Sequence, residues 1–381
     1  MGKYTQQGSA KFDERLDSDF AQIAERVRAL PDAGELKGIV LMGGYGRGEG
    51  TPLQGPTGEL PFNDYDLVVV GKRLSRRRRK QLQNELLNLE KPLSEKLGIP
   101  VDLYLHTESS LRHAEPSLMN YEMRHGHRVI SGPPDLLDCM PPLDLRDVSL
   151  SEGTRLLLNR GKLLLDVKLA LSKEEALSLE EKERYAKFLW KNYLAFGDCA
   201  LLVFHEYDIR YSVKKEKVRS FYYQRDVPNP EWMIHKYIQA IQFKNTGDWS
   251  VLEIKSLEKE FQQVVRYYLE FLLWYESKRL GVFLPSLQNY VLQLPFAPAS
   301  GQHWMHNLVR NLRLLRQNAF SPSIRWSYIH PRNRLYPALW LLLSFDGQMP
   351  LDLSLGAQLL GSQPDYLTLT HRFYQLRERL A

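Results

Sequence analysis

The sequence predicts an α+β protein, in which an N-terminal mixed sheet with helices is followed by a C-terminal α-helical bundle. Short β-branched runs alternate with amphipathic segments in the N-terminal part, which indicates a small sheet covered by helices. Helical periodicity dominates the later part, and the proline-rich segment PPDLLDCMPPLDL lies between the two. Because 381 residues exceed one ordinary hydrophobic core, we predict two domains, residues 1–140 and residues 150–381.

The first half of the N-terminal domain is predicted to contain a helix, a strand, a glycine-rich turn and a second strand. Apolar residues recur at helical spacing over residues 13–30, and GIVLM at 38–42 has the composition of a buried strand. The glycine-dense segment 43–50 predicts a turn whose backbone N–H groups approach a ligand closely. The prolines and glycines of residues 51–62 predict an inserted loop, and DYDLVVV at 64–70 predicts the next buried strand.

A long helix, a third strand and a short helix followed by a strand are predicted to complete this domain. Residues 74–97 carry a leucine stripe at helical spacing, and Pro92 is expected either to kink this helix or to split it. VDLYLHT at 101–107 predicts the third strand. Residues 116–125 then predict a helix, and HRVISG at 127–132 predicts a short strand.

Composition and charge limit the class of protein and its partners. No apolar run reaches the length of a membrane span and the N-terminus lacks the apolar core of a signal peptide, so we predict a cytoplasmic protein without a membrane partner. Cys139 and Cys199 lack a metal-binding spacing and are predicted to be reduced thiols. The formal charge of +6 suits polyanions such as nucleotides or nucleic acid, although the same excess spread over the surface would bind nothing in particular.

Three aspartates are the candidate metal ligands. Residues i and i+2 of a strand share a face, so Asp64 and Asp66 are predicted to point the same way. Asp102 has the same relation to the apolar run that follows it, and a neighbouring strand would bring it to the pair. Clustered carboxylates repel one another unless a cation lies between them, and oxygen ligands suit Mg²⁺. Together with the glycine turn, they predict a two-metal site for phosphoryl transfer.

These residues resemble the motif of the DNA polymerase beta-like nucleotidyltransferase superfamily. Gly43 and Gly44 stand where the family has a turn after its first strand, Asp64 and Asp66 at its aspartate pair, and Asp102 at its third acidic position. The resemblance covers roughly the first 140 residues, and the run GYGRGEG is similar to that of small bacterial members. It implies that Asp64 and Asp66 bind two Mg²⁺ ions, and that Asp102 is both a ligand and the general base.

The same resemblance implies a reaction and a nucleotide site. A nucleoside monophosphate would pass from an NTP such as ATP to a hydroxyl group, with release of pyrophosphate, and Gly43 and Gly44 would approach the phosphates. Gly44 replaces a serine that often touches the triphosphate, which leaves backbone N–H groups and Arg47 for this task. Arg47 is equally interpreted as a surface ion pair with Glu49. An insertion of twelve residues also places Asp64 farther from the turn than is usual in the family.

The C-terminal domain is predicted from its periodicity to be helical, and the resemblance implies that it closes over the nucleotide. Lys187, Lys191 and Asp198 share one face of a helix, where they could hold phosphate or acceptor, although a solvated face is the favoured interpretation. The aromatic and basic stretch 207–225 is typical of single-strand binders, but a loop with aromatic anchors is favoured. The run RRRRK at 76–80 is interpreted as solvated, with RNA binding as the alternative.

The sequence thus leads to one main hypothesis and two alternatives. The main one is a Mg²⁺-dependent nucleotidyltransferase whose acceptor is a small molecule, a protein or an RNA. The first alternative is a non-catalytic RNA-binding or antitoxin-like interaction module on the same fold. A kinase-like phosphotransferase, the second, would need a strand lysine and a separate catalytic loop, and the sequence offers neither.

Overall fold

The computed structural model of the chain describes residues 2–31, 33–56, 58–173, 175–221, 225–293, 304–316, 329–345 and 353–380. The chain divides into two compact units. Unit 1 comprises Met1–Ser149, Tyr207–Glu216 and Ile241–Val251, and unit 2 comprises Leu150–Glu206, Lys217–Ala240 and Leu252–Ala381. Residues 207–216 and 241–251 therefore pack with the N-terminal unit, although helical periodicity had placed them in the C-terminal domain.

Unit 1 is built on a small mixed sheet. Its strands are β1 (Leu36–Leu41), β2 (Pro52–Gly55), β3 (Gly58–Pro61), β4 (Tyr65–Gly71), β5 (Val101–Thr107) and β6 (Arg128–Ser131). Four of them form one sheet in the order β5-β4-β1-β6, in which β4 and β5 are parallel and the other pairs are antiparallel. The mixed α+β class predicted from the sequence is thereby confirmed.

Five helices accompany this sheet in the part of unit 1 before residue 150 that the structure describes. They are α1 (Ala10–Arg28), α2 (Gly43–Gly46), α3 (Arg76–Leu97), α4 (Glu108–Arg112) and α5 (Leu118–His125). Helix α1 begins where the Ser9 hydroxyl accepts a hydrogen bond from the Phe12 N–H. Helix α3 is continuous through Pro92, so the predicted split of this helix is wrong.

The two faces of the sheet have different cores. Odd-numbered strand residues such as Leu67 and Leu103 pack with the buried stripes of α1 and α3. Even-numbered residues such as Val68 and Val70 pack with side chains from residues 111–143. Because residues alternate between faces along a strand, Asp66 shares the second face with Val68 and Val70.

The segment between the glycine turn and β4 is a hairpin rather than the predicted loop. Strands β2 and β3 pair in antiparallel register from Pro52↔Pro61 to Gly55↔Gly58. The loop prediction was wrong because prolines and glycines are depleted in strands on average, yet here they occupy the ends of a short isolated two-stranded sheet.

Unit 2 is helical throughout its described regular structure, apart from short 3₁₀ turns. Its helices, together with two that extend into unit 1, are α6 (Ser151–Leu171), α7 (Leu179–Val203), α8 (Tyr211–Phe221), α9 (Pro230–Thr246), α10 (Leu257–Leu280), α11 (Leu287–Gln293), α12 (Trp304–Arg316), α13 (Leu335–Ser344), α14 (Leu353–Leu360) and α15 (Tyr366–Leu380). Helix α8 replaces the loop predicted over 207–225, of which residues 222–224 lie outside the described part. None of the described helices combines the length and apolar character needed to cross a membrane.

The core of unit 2 contains a buried polar network as well as apolar side chains. Glu276 accepts hydrogen bonds from the Thr154 hydroxyl at 2.5 Å and the Tyr290 hydroxyl at 2.8 Å, and it pairs with Arg279. Asp198 is also buried and accepts from the Tyr237 hydroxyl at 2.8 Å. The predicted solvated face is therefore wrong for Asp198, whose carboxylate belongs to the core.

Candidate metal centre

Three aspartates converge at one end of the sheet in unit 1. In the parallel pairing of β4 with β5, Asp66 lies opposite Asp102, and Asp64 immediately precedes β4. Each of the three offers a carboxylate oxygen, and these oxygens all lie within 4.8 Å of one another. The convergence of Asp64, Asp66 and Asp102 was predicted from the sequence, and the register of two adjacent strands produces it.

The turn after β1 lies against Asp66. Gly43 adopts a positive φ of 63°, and a Cβ atom at this position would lie 2.5 Å from the Oδ2 atom of Asp66. The Met42 N–H also donates to the Asp66 carbonyl oxygen at 2.8 Å. Only glycine fits here without strain, so Gly43 allows the backbone of the turn to lie close to the Asp66 carboxylate.

The electrostatic state of Asp66 reflects its crowded surroundings. Burial raises its pKa to about 7, and the charges of Asp64 and Asp102 contribute to the rise. Lys244 and Arg47 act in the opposite direction but do not cancel it. A cation bound between the carboxylates would remove this repulsion, which is the condition under which all three ionise together.

The spacing of the oxygens fits a divalent cation. With bonds of about 2.1 Å, two oxygens of one octahedral Mg²⁺ are about 3–4 Å apart. The limit of 4.8 Å between the carboxylate oxygens exceeds the upper end of this range by less than about 1 Å. Small side-chain adjustments would therefore let the three residues bind one Mg²⁺, and their six oxygens are enough for two ions that share ligands.

A lysine outside the predicted site faces the cluster. Lys244, on the part of α9 that belongs to unit 1, lines a small cavity together with Gly44 and Asp64. Burial and the neighbouring charge of Arg47 lower its pKa, while Asp64, Glu49 and Asp66 favour its charged form. The cavity measures about 10 Å³, room for about one water molecule. A triphosphate is too large for this cavity and would have to reach the carboxylates from their partly exposed side.

Arg47 is held inside unit 1 by two acids. Its guanidinium lies 3.3 Å from a Glu122 carboxylate oxygen, its Nε atom lies 4.0 Å from Glu49, and its side chain is only 6% exposed. The interpretation as a surface pair with Glu49 is therefore wrong in its location, since the pair is buried and Glu122 is the nearer partner. The predicted phosphate contact of Arg47 stays a prediction.

The same two acids attach residues 207–216 to unit 1. Glu49 accepts hydrogen bonds from the backbone N–H groups of Tyr211 and Ser212, at 3.0 and 3.2 Å, and so caps the first turn of α8. Glu122 accepts a hydrogen bond from the Tyr207 hydroxyl. The aromatic anchor that the sequence indicated in this stretch is thus confirmed for Tyr207, which is buried.

Cations surround the ring of Tyr211. The Nζ atoms of Lys214 and Lys244 lie 4.3 and 5.3 Å from its centroid, and the Arg47 guanidinium carbon lies 5.9 Å from it. Lys214 also lies 3.8 Å from the ring centroid of Tyr207. These cation–π contacts hold positive charge beside an acidic site.

One aromatic side chain extends the carboxylate face toward solvent. Tyr104 follows Asp102 by two residues on β5, the edge strand, so both point to the same face. Its side chain is 45% exposed, and burial together with the nearby aspartates raises its pKa to about 12.

The remaining predicted residues lie elsewhere or serve other contacts. Gly44 follows Gly43 in the turn, and a Cβ atom there would lie 3.2 Å from the Glu49 carbonyl oxygen. Lys191 and Lys187 lie on α7 in unit 2 and are not part of the described cluster in unit 1. Their predicted contact with phosphate stays a prediction, as does closure of the helical domain over the nucleotide.

Sequence reasoning missed Lys244, Lys214 and Glu122 as neighbours of the site, and it considered Glu49 only as a surface partner of Arg47. The interleaving of aromatic and basic residues at 207–225 was the available signal for Lys214, but it did not indicate which unit the stretch packs against. Lys244 had no local signal, because it lies within an ordinary helical pattern.

Comparison with known proteins finds no match for this chain. No protein family, no curated protein and no solved structure matches it.

Proposed function

We propose that this protein is a Mg²⁺-dependent nucleotidyltransferase that transfers a nucleoside monophosphate from an NTP to a hydroxyl group. The observation that carries this proposal is the convergence of Asp64, Asp66 and Asp102, whose oxygens lie within 4.8 Å of one another. The glycine turn against Asp66 supports it, because the resemblance to DNA polymerase beta-like nucleotidyltransferases requires both features together.

In this proposal the aspartates divide the metal binding between them. Asp64 and Asp66 would hold two Mg²⁺ ions, and Asp102 would complete one of the two coordination spheres. Such ions supply positive charge to the phosphates and lower the pKa of the acceptor hydroxyl. The sharing of ligands accounts for the otherwise unfavourable packing that raises the pKa of Asp66 to about 7.

The acceptor hydroxyl would react beside Asp102. Its oxygen attacks the α-phosphorus, and its proton passes to a carboxylate oxygen of Asp102. The bond from the α-phosphorus to the oxygen that bridges to the β-phosphate breaks, and pyrophosphate leaves with that electron pair. Tyr104 is exposed on the same face and would pack against the acceptor.

The phosphates of the NTP would meet a cation from α9. Lys244 lies beside Gly44 and Asp64 and would neutralise part of the triphosphate charge. Backbone N–H groups of the turn at Gly43 and Gly44 would approach the same phosphates. Arg47 would act mainly by holding this turn, because Glu122 and Glu49 already occupy much of its guanidinium.

The test is incubation with Mg²⁺ and NTPs labelled at the α-phosphate, together with cell extract separated into RNA, protein and small-molecule pools. We expect labelled product and pyrophosphate in one pool, and loss of both in Asp64→Asn and Asp66→Asn. Asp102→Asn should still bind NTP but lose transfer by about a hundredfold or more, as expected for a missing general base.

The matched control is Asp135→Asn, which changes the same charge at an exposed position of unit 1. Asp135→Asn should retain full transfer. If the wild type neither binds NTP with Mg²⁺ nor releases pyrophosphate with any pool, the proposal is overturned. Binding of RNA without nucleotide transfer, and unchanged in the aspartate variants, would favour the interaction module instead.

A further inference from the structure

Unit 2 contains a cavity lined by arginines that the proposed reaction does not use. The cavity has a volume of about 350 Å³, within the range of small-molecule sites. Its polar lining consists of Arg155, Arg332, Arg377 and Asn159, and leucines form the rest of the wall. The polar residues come from α6, from the turn before α13 and from α15, so the site is assembled from three separate parts of unit 2. We call it the arginine cavity.

The positive charge of this cavity is poorly compensated. Arg155 pairs with Glu152 at 2.8 Å. Within the described part of the chain, Glu152 is the only acid that forms an ion pair with any of the three lining arginines. Arg332 donates instead to the Leu380 carbonyl oxygen, from Nε at 3.0 Å and from a terminal nitrogen. This neutral carbonyl oxygen satisfies hydrogen-bond donors of Arg332 but does not neutralise the charge of its guanidinium group.

One buried donor in the cavity wall has no hydrogen-bond partner among the residues that the structure describes. A terminal nitrogen of Arg377 donates to the Asn159 side-chain oxygen at 3.2 Å. The Nε atom of Arg377 is buried and makes no hydrogen bond within the described residues. A buried unsatisfied donor is costly, and buried polar groups without a partner are uncommon in folded proteins.

The behaviour of a nearby histidine agrees with a local excess of positive charge. Burial, together with the charges of Arg310, Arg332 and Arg155, lowers the pKa of His330 to about 4. Arg310 contacts the Nε2 atom of His330, which is therefore an acceptor in its neutral form. The histidine offers no compensating charge.

We infer that the arginine cavity binds a small organic phosphate monoester. A phosphate group accepts several charge-assisted hydrogen bonds, and the planar guanidinium group matches its geometry. Three guanidinium groups with one acidic partner suit a dianion better than a single carboxylate. The leucine walls favour a ligand with an apolar part over free phosphate, since burial of apolar surface adds to binding.

The inference goes beyond the proposed nucleotidyl transfer and can be tested apart from it. Phenyl phosphate is the probe, with inorganic phosphate and benzyl alcohol as comparisons, titrated calorimetrically into the full chain in EDTA. Without divalent cations, the aspartate cluster repels the probe. We expect saturable binding of phenyl phosphate, weaker binding of inorganic phosphate and none of the alcohol. Asp66→Asn should bind the probe as the wild type does.

Substitutions in the cavity wall locate the binding. Arg377→Gln and Arg155→Gln should each weaken binding by about tenfold or more, as expected for loss of a charge-assisted hydrogen bond. Arg379→Gln is the matched control, because Arg379 is exposed on the same helix as Arg377 and does not line the cavity. It should change the affinity by less than about threefold. Arg155 has a side chain that is 42% exposed, so its variant is expected to fold even if Arg377→Gln does not.

Three results would overturn the inference. One is the absence of saturable binding by phenyl phosphate and by inorganic phosphate. Another is equal weakening in Arg379→Gln and the two cavity variants, which would indicate general charge attraction. The third is tighter binding of inorganic phosphate than of phenyl phosphate, which would reject an organic ligand. Failure of nucleotidyl transfer alone would leave the inference standing.

Discussion

Asp66→Asn should make the metal-free protein more stable at neutral pH, although it removes a proposed metal ligand. The pKa of Asp66 is raised from 3.8 to about 7 in the folded chain. Between pH 3.8 and about pH 7, the folded state therefore keeps a proton on Asp66 that the unfolded state has already lost. Stability from this group is fully present below about pH 4 and is lost as the pH rises through 7.

The size of the effect follows from the same two values. Each pH unit between them is worth about 1.4 kcal/mol, so the wild type loses up to about 4 kcal/mol by pH 8. Asparagine keeps the shape of the side chain against Gly43 and carries no charge at any pH. Unit 1 contains between 150 and 250 residues, a size at which each kcal/mol corresponds to about 2–4 °C in Tm. We expect a rise in Tm of up to about 16 °C at pH 8.

Thermal melts in EDTA from pH 4 to pH 8.5 measure this difference. The gap between variant and wild type should be near zero at pH 4 and reach its maximum above pH 7. Addition of Mg²⁺ should raise the Tm of the wild type much more than that of Asp66→Asn, and the exposed control Asp135→Asn should follow the wild type throughout. A gap that does not change with pH, or a variant that is less stable at every pH, would refute the electrostatic reasoning.

Three further predictions concern the neighbours of the aspartates. Gly43→Ala should destabilise the fold by about 1–3 kcal/mol, because of the positive φ and the contact with Asp66. It should also abolish the rise in Tm that Mg²⁺ produces. Thermal melts with and without Mg²⁺ test both effects. Lys244→Gln should raise KM for the NTP by about tenfold, while the exposed substitution Lys11→Gln leaves it unchanged in steady-state assays. Tyr104→Ala should lower kcat/KM for the acceptor by about tenfold and Tyr104→Phe by much less, with NTP binding unaltered in both; equal losses would show that the hydroxyl, not the ring, is required.

The fold of unit 1 was largely predictable because its signals are local. Runs such as VDLYLHT become strands where they stand, and the two-residue spacing of Asp64 and Asp66 needs only a strand to bring their carboxylates together. Asp102 required one further assumption, that β5 pairs beside β4. The parallel register that places it opposite Asp66 satisfied that assumption.

The surroundings of the site were not predictable, because they depend on tertiary contacts across long sequence separations. Tyr207 reaches Glu122 across 85 residues, and Tyr211 reaches Glu49 across 162 residues. Neither contact has a spacing rule, and the acids involved look like ordinary surface residues in the sequence. The hairpin β2–β3 was missed for the opposite reason, since its turn-forming residues outweighed a weak strand signal.

The charges around the aspartates lead to different predictions for an enzyme and for an RNA-binding module on this fold. Arg47 is largely neutralised by Glu122 and Glu49, so it cannot offer its full charge to a polyanion. Lys244 alone does not offset three carboxylates. Burial is the main cause of the raised pKa of Asp66, and the charges of Asp64 and Asp102 add to it. A surface that binds RNA directly would be strengthened by replacing these aspartates with asparagine. A site that binds phosphates through divalent cations would be destroyed by the same replacement, so the sign of this change in affinity decides between the two functions.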